Sequence, residues 1–461
     1  MTTSDRVGAL FGTDGVRGIP GRPPLLPATV RALARSAAAL LLKAHPARNG
    51  SSPFMLCARD TRRSGPALAR ALKEGFADAG VAMVDLGVAP TPAVSYLAPR
   101  TGAIGGVVVS ASHNPAEFNG IKFFTGDGFK MGPALERRIE REVAEGGSSA
   151  ARRGRLVAPK LSGPDLVARY ADYLKSTFPA SLDLSGMTLA VDCGHGAVSF
   201  IAPALLESLG AKVFAIGCSP NGDNINAGSG ALEPEAMRRE VLRRRADLGI
   251  SFDGDADRAI LADERGGLMD GDALLCLAAV RLQSQGLLRG GKVVVTVMSN
   301  FGLLRSLEER GIEPVSVPVG DRNVFEAIER EGLSLGGESS GHIIFRPFAA
   351  TGDGLLTALQ TLAAIRESGR PASQCRRLYH PVPQILKNVP THRKTPLEKL
   401  PGLQRSLAGA ARELGRSGRL FVRYSGTEPL LRILIEGPDK NLNHRLAEGL
   451  AEAYLRGVKE A

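Results

Sequence analysis

Three times along the chain an apolar run ends in polar or glycine residues and gives way to a stretch with helical periodicity. The first, Phe54-Met55-Leu56-Cys57-Ala58, leads to Arg59-Asp60 and predicts a helix from about Gly65 to Ala79. The second, Thr188-Leu189-Ala190-Val191, leads to Asp192-Cys193-Gly194-His195-Gly196 and a helix reaching about Leu209. The third, Lys292 through Val297, leads to Ser299-Asn300 and a helix reaching about Arg310. Strands alternating with helices of roughly 10–15 residues imply an α/β protein with parallel or mixed sheets covered on both faces. Further strands are expected at Gly106–Ser110, Leu248–Phe252, Val315–Val317 and Ile343–Phe345. The tail reads differently: strands Arg419–Tyr424 and Leu431–Glu436 flank a turn and precede a helix from about Asn443 to Arg456, a smaller α+β unit. Stretches rich in Gly, Ser and Pro near 146–164 and 369–383 mark boundaries between units.

Composition narrows the class. At 461 residues and roughly 100–200 residues per domain, the chain holds three or four domains. No apolar stretch approaches the ~20 residues that span a bilayer, and Met1 to Leu10 lacks a signal-peptide pattern. Cys57, Cys193, Cys218, Cys276 and Cys375 are odd in number and far apart, with no CxxC pair. A disulfide scaffold and a structural zinc site are therefore not expected, and a reducing cytoplasm is. The net charge of +11 comes from scattered knots such as Arg152-Arg153 and Arg243-Arg244-Arg245, with no tryptophan and no aromatic stacking pattern beside them. That argues against nucleic acid and fits a field that draws in a small polyanion.

The densest chemistry is Asp253-Gly254-Asp255-Ala256-Asp257-Arg258, directly after an apolar strand, at the edge where α/β sheets bind ligands. In an extended loop, residues i, i+2 and i+4 face one way, so the three acids are expected to converge. A hard divalent cation relieves their mutual repulsion, and Mg²⁺ suits a site that also holds phosphate. An EF-hand is excluded, because its sixth place needs glycine and holds Arg258, and Ala259-Ile260-Leu261 reads as strand.

Ser110-Ala111-Ser112-His113-Asn114-Pro115 follows another apolar strand. Phosphorylated, Ser112 would be a phosphoryl donor carrying close to two negative charges, with His113, Asn114 and Lys122 near enough in sequence to contact the moving group. A hydrolase reading is weaker, since no Gly-x-Ser-x-Gly elbow is present and an adjacent His113 would point away from Ser112 in an extended chain. In the tail, Arg423-Tyr424-Ser425-Gly426-Thr427-Glu428-Pro429 offers a guanidinium, two hydroxyls and backbone N–H groups at a glycine turn, suited to a phosphate dianion. Gly336-Gly337-Glu338-Ser339-Ser340-Gly341-His342 offers a carboxylate, hydroxyls and an imidazole for sugar hydroxyls and proton movement. Phe11-Gly12-Thr13-Asp14-Gly15-Val16-Arg17-Gly18 carries an arginine but lacks the ending of a P-loop.

Together, and in this order, these motifs resemble the α-D-phosphohexomutase superfamily from Phe11 to about Glu436. Phe11 to Gly18, Asn119 to Phe124, Val297-Met298-Ser299-Asn300 and Thr351-Gly352-Asp353-Gly354 are similar to its glucosamine-phosphate branch in particular. The resemblance implies four domains: a phosphoserine-loop domain over 1–160, a metal-loop domain over 161–264, a sugar-loop domain over 265–378 and a C-terminal phosphate-binding domain over 379–461. The first three would be related mixed-sheet α/β domains, the last a smaller α+β domain. It implies that Ser112 is the phosphorylated residue and, with Asp253, Asp255 and Asp257, holds one Mg²⁺. Glu338 and Ser340 would contact sugar, while Arg423, Ser425, Gly426 and Thr427 would grip the non-reacting phosphate. Lys122 and Arg258 would flank the transferred phosphoryl, His113 would assist it, and His342 is the candidate for proton transfer. The implied reaction converts glucosamine 6-phosphate to glucosamine 1-phosphate through a 1,6-bisphosphate and would feed UDP-N-acetylglucosamine synthesis, with glucosamine 1,6-bisphosphate or glucose 1,6-bisphosphate as activator. Mannose or glucose phosphates are the alternative substrates. The enzyme is expected in the cytoplasm as a monomer or homodimer, with no nucleic acid or membrane partner. Three departures stand out: Ala256 where this branch usually has glycine, expected to be tolerated if its φ is negative; Ser339 where glutamine is usual; and Ser229 and Glu233 where cysteine and histidine are common.

Overall fold

A computed structural model of the chain describes residues 10–12, 14–45, 52–146, 156, 159–425 and 429–460. Two compact bodies are present, one of residues 8–298 with 312–378, the other of 299–311 with 379–461. In chain order the larger begins with β1 (Val16–Gly18), α1 (Pro27–Ala44), β2 (Phe54–Arg59), α2 (Gly65–Asp78), β3 (Ala82–Val88), α3 (Thr91–Thr101), β4 (Gly105–Val109), β5 (Asn119–Thr125) and α4 (Pro133–Ala144). There follow α5 (Gly163–Ser176), β6 (Thr188–Asp192), α6 (Ala202–Glu207), β7 (Lys212–Ile216), α7 (Glu235–Arg244), β8 (Leu248–Phe252), β9 (Ala259–Asp263), β10 (Leu268–Met269) and α8 (Gly271–Ser284). The remainder is β11 (Lys292–Thr296), α9 (Phe301–Glu308, in the smaller body), β12 (Glu313–Val317), α10 (Asp321–Glu331), β13 (Leu335–Gly337), β14 (Ile343–Phe345), α11 (Gly354–Ser368) and α12 (Ala372–Arg376).

One topology is used three times. The sheets run β1-β5-β4-β2-β3, β10-β9-β8-β6-β7 and β12-β11-β13-β14. Each has a parallel triplet, and in each the triplet's last strand in sequence turns back into an antiparallel partner: β4 into β5, β8 into β9, β13 into β14. Strands β4 and β8 are buried throughout, as parallel strands covered on both faces must be. Helices sit unusually close to these strands because glycine faces them. A Cβ on Gly106 would lie 2.2 Å from Val94 of α3, and one on Gly249 2.1 Å from the Met237 sulfur of α7.

The smaller body holds a three-stranded antiparallel sheet with β17 (Leu430–Glu436) between β15 (Gln384–Pro390) and β16 (Arg419–Tyr424). Helices α13 (Pro401–Leu414) and α14 (Lys440–Glu460) cover it, packing Leu403, Leu414, Ala447 and Leu450 on Leu431, Ile433 and Ile435. The mixed-sheet α/β units and the smaller α+β unit are as expected from the pattern. The helix expected to reach Leu209 is shorter, because residues 193–201 form turns with left-handed backbone at Gly194 and His195, and only Ala202–Glu207 is helical.

Candidate functional site

The three returns of the repeated topology, β4 to β5, β8 to β9 and β13 to β14, carry the serine, acidic and 336–342 motifs singled out in the sequence. The serine loop is rigidly built. Ser112 is fully buried with φ +51°, a left-handed conformation that costs an L-residue about 1–2 kcal/mol. Its N–H donates to Ser110 Oγ at 2.8 Å, and Ser110 Oγ donates to Asp60 at 2.6 Å. Asp60 also takes Arg62 Nε at 2.9 Å, and the buried Arg62 guanidinium donates to the carbonyls of Ser112 (3.0 Å), Asn114 (2.7 Å), Phe118 (3.0 Å) and Pro115. The Asn226 amide donates to Ser112 O at 2.9 Å from the other side. The bent backbone brings His113 Nδ1 to 3.3 Å from Ser112 Oγ, correcting the expectation that the ring would point away, which assumed an extended chain. Burial, with the nearby Arg258 and Arg17 charges, brings the His113 imidazole down to about 4, so it is neutral at pH 7.

Asp253, Asp255 and Asp257 do converge: each presents a carboxylate oxygen within 4.8 Å of the others, and all three are buried. The reason is not an extended loop. Residues 253–258 are turns, and Ala256 has φ +54°. Ala256 therefore does not meet the condition of a negative φ under which it was expected to be tolerated. It is strained where glycine would not be.

Ser112 Oγ donates to Asp253 Oδ2 at 2.6 Å, so one hydroxyl and three acids separated by 141 residues meet. Asp255 Oδ2 accepts from Thr91 Oγ1 at 2.6 Å and from Lys122 Nζ at 2.9 Å. Lys122 Nζ also lies 3.0 Å from Asp14 and 3.7 Å from Asp257. Burial works against the Lys122 charge, but Asp14, Asp255 and Asp257 outweigh it and raise its pKa. Burial and then repulsion from Asp257 and Asp255 push the Asp253 carboxyl well above the usual range. Burial opposes ionisation of Asp257 too, yet Lys122, His342 and Arg258 hold it well below that range. Two buried carboxylate oxygens, Asp255 Oδ1 and Asp257 Oδ1, have no hydrogen-bond partner. Hard, converging and unsatisfied, these oxygens fit a divalent cation. Arg258 faces Asp257 Oδ1 with Nε at 3.6 Å.

The third return packs on the second. Ala259 N–H donates to Gly341 O at 3.2 Å, and a Cβ on Gly341 would lie 2.2 Å from Ala259 O. His342 is buried; its Nε2 accepts the Gly352 N–H at 3.1 Å, and Nδ1 lies 3.6 Å from Asp257 Oδ2. Burial disfavours the imidazolium, but Asp257 and Asp321 outweigh it and raise the His342 pKa. Glu338 Oε1 accepts the Gly320 N–H at 2.9 Å, and Ser340 Oγ is buried without a partner. Gly354 N–H donates to Ala256 O at 3.0 Å, which accounts for the Thr351-Gly352-Asp353-Gly354 stretch: it seats the start of α11 against the acidic loop.

In the smaller body, Arg423 of β16 lies opposite Arg432 of β17. Burial, then the Arg432 charge, lowers the Arg423 pKa. Ser425 is buried, its N–H donates to Leu430 O at 2.8 Å, and its carbonyl accepts from Lys394 Nζ at 2.7 Å. Gly426 and Thr427 lie outside the described residues.

Sequence reasoning passed over Asp60, Arg62, Thr91, Asn226 and the pairing of Lys130 with Asp14 and Asp321. Asp60 alone had a signal, standing at the end of an apolar run. Ser229, one of the departures, donates to Asp192 Oδ1.

The chain is similar to known proteins over nearly its whole length. The phosphoglucomutase/phosphomannomutase family matches in four parts: alpha/beta/alpha domain I over 8–150, domain II over 168–267, domain III over 270–382 and the C-terminal domain over 386–453. A phosphoglucosamine mutase from Anaeromyxobacter dehalogenans is 43% identical, covering 97% of this chain and 99% of its own. One from Symbiobacterium thermophilum is 44% identical, covering 96% and 98%. Among solved structures, a phosphoglucomutase/phosphomannomutase family protein from Burkholderia thailandensis has a TM-score of 0.80 at 23% identity, covering 97% of each chain. The Aspergillus fumigatus N-acetylphosphoglucosamine mutase in complex with GlcNAc-6P and magnesium has a TM-score of 0.68 at 18% identity, covering 97% and 96%.

Proposed function

The chain belongs to the phosphoglucosamine mutases of the phosphohexomutase superfamily, and from that premise we propose that it interconverts glucosamine 6-phosphate and glucosamine 1-phosphate through a phosphoryl group carried on Ser112. The observation that carries the reading is the 2.6 Å contact of Ser112 Oγ with the acid triad, beside the Lys122 ammonium. In the forward direction the sugar O1 takes the phosphoryl from Ser112, leaving a free serine and a 1,6-bisphosphate. After reorientation, the O6 phosphoryl returns to Ser112 and glucosamine 1-phosphate leaves. Little covalent work falls to the protein; it positions and neutralises a loose phosphoryl transition state.

Ser112, Asp253, Asp255 and Asp257 would hold one Mg²⁺, which when bound supplies charge neutralisation and polarisation of the serine-linked phosphate. Lys122 and Arg258 offset charge on the equatorial oxygens. His113, neutral at pH 7, can accept or donate a hydrogen bond at Ser112 Oγ. His342 remains the candidate for proton movement, and since Gly352 engages Nε2, Nδ1 is the nitrogen through which a proton would pass. Glu338 and Ser340 are assigned to sugar hydroxyls, the orphaned Ser340 Oγ being ready for one. Arg423, Ser425, Gly426 and Thr427 are assigned to the non-reacting phosphate. A 1,6-bisphosphate of glucosamine or glucose would serve as activator by phosphorylating a free Ser112. The domain limits 1–160, 161–264, 265–378 and 379–461, a cytoplasmic location and a monomer or homodimer complete the assignment.

The test is turnover of glucosamine 6-phosphate against mannose 6-phosphate, with mass spectrometry of the Ser112 peptide. Preference for the glucosamine substrate, a phosphate on Ser112 and loss of both signals in Ser112→Ala are expected. Preference for mannose, or full turnover by Ser112→Ala, overturns the assignment.

A further inference from the structure

Two of the five cysteines are brought together by the second sheet. Cys193 follows β6 and Cys218 follows β7, parallel neighbours in register at Asp192 and Ile216. Extending that register by one residue sets Cys193 opposite Gly217, with Cys218 one position beyond. With neighbouring strands about 4.8 Å apart, the two cysteines leave the sheet side by side at the same edge. One oxygen reports the same approach: the Ile216 carbonyl accepts the Cys193 N–H at 3.0 Å and the Cys218 thiol at 3.3 Å. Gly217, with φ +63°, breaks the pleat that would otherwise send Cys218 to the opposite face. Each thiol feels the other: the neighbouring Cys193 group lowers the Cys218 pKa, and the neighbouring Cys218 group, with burial, raises that of Cys193. Cys218 is half-buried and open to a small reagent, while Cys193 is buried behind it.

We propose that Cys193 and Cys218 are a redox-sensitive pair whose closure to a disulfide disables the catalytic loops. The oxidant is a hydroperoxide. The Cys218 thiolate attacks its O–O bond, giving a sulfenic acid and hydroxide. The Cys193 sulfur then attacks the sulfenic sulfur, its proton leaving with the displaced hydroxyl as water. With hydrogen peroxide, two thiols lose two electrons and two protons, and two waters form.

The pair is coupled to the site through the Cys193 turn. Ala197 N–H donates to Gly254 O at 2.8 Å, inside the acidic loop, and a Cβ on Gly196 would lie 2.5 Å from that same oxygen. Gly194 O accepts the Asn226 N–H at 2.8 Å, and the Asn226 side chain donates to Ser112 O and Asn114 O. Contracting two neighbouring thiols to the ~2.05 Å of an S–S bond pulls on a turn that supports both loops at once.

The experiment treats the enzyme with hydrogen peroxide, blocks free thiols, and reads peptides by mass spectrometry alongside turnover, for wild type, Cys218→Ser and, as a core-cysteine control, Cys57→Ser. The expected result is a Cys193–Cys218 cross-linked peptide with a fall in turnover of about tenfold or more, reversed by dithiothreitol, in wild type and Cys57→Ser but not in Cys218→Ser. No cross-linked peptide, a cross-link with unchanged turnover, or an equal loss in Cys218→Ser overturns the proposal. The cross-link is read by mass, so its absence is distinguishable from an error in the assigned substrate.

Discussion

Among the described residues, five non-glycine residues have left-handed backbone, and four of them, Ser112, His195, Asn226 and Ala256, lie in or directly beneath the serine and acidic loops. Strain concentrated in this way is held by surrounding contacts and is characteristic of sites that fix a reacting atom. Ala256 is the instructive case, because its methyl group is buried while its backbone asks for glycine. Ala256→Gly is expected to raise stability by about 1 kcal/mol, read as a higher denaturant midpoint at unchanged slope. A lower midpoint would mean that the methyl group, buried in the loop, contributes more than its conformation costs. This also marks what sequence can and cannot give at the residue scale. The alternation of acids with small residues announced the convergence of Asp253, Asp255 and Asp257, but through an extended geometry the loop does not adopt. Backbone handedness at Ser112 and Ala256 leaves no trace in a polarity pattern, since serine and alanine enter turns of every kind.

At the scale of elements, the strongly apolar strands were legible and the supporting turns were not. Strands β2, β6, β8 and β14 stand within a residue or two of where the pattern puts them, because strands buried on both faces are nearly continuous apolar runs. Strand β15 was invisible for the opposite reason: it is a mostly exposed edge strand ending at Pro390. Arg62, in the turn after β2, was passed over because its partners besides Asp60 are backbone carbonyls some 50 residues away, and backbone acceptors have no sequence signature. The consequence is testable. Arg62→Ala would leave Asp60 buried without its cation, and breaking a buried pair typically costs about 3–5 kcal/mol. Arg62→Lys keeps the charge but loses the planar fork that spans four carbonyls. It is expected to lower kcat by about tenfold or more with KM for the sugar phosphate nearly unchanged, since it displaces the serine loop without touching substrate. Equal changes in kcat and KM would place Arg62 in substrate binding.

At the scale of the larger body, helix α5 ties the three repeated units together. Tyr173 stacks on Tyr96 of α3 with ring centroids 4.0 Å apart and donates to Phe348 O, while Tyr170 donates to Asp353 at 2.7 Å. Asp353 is the N-cap of α11, accepting the Leu356 N–H at 3.0 Å, one residue before Gly354 meets the acidic loop. Burial raises the Asp353 carboxyl to about 6, more than the Leu356 and Tyr170 hydrogen bonds recover. A carboxyl with a higher pKa in the folded state than in the unfolded chain binds its proton preferentially when folded. Its contribution is therefore fully present below about pH 4 and is lost as pH rises through about 6. Asp353→Asn removes that titration while keeping an oxygen for the Leu356 N–H, and the Tyr170 hydroxyl can turn to accept from the new amide. Relative to wild type, the variant is expected to gain about 2 kcal/mol of unfolding free energy between pH 4.5 and pH 7.5, measured by denaturant titration at each pH. The lowered carboxylates, Asp14 and Asp257 among them, bend the stability of both proteins in the opposite direction and cancel in the difference. A difference that stays flat across that interval would mean Asp353 is ionised at the strut throughout, with Tyr170 and the start of α11 stabilising the charge rather than the proton.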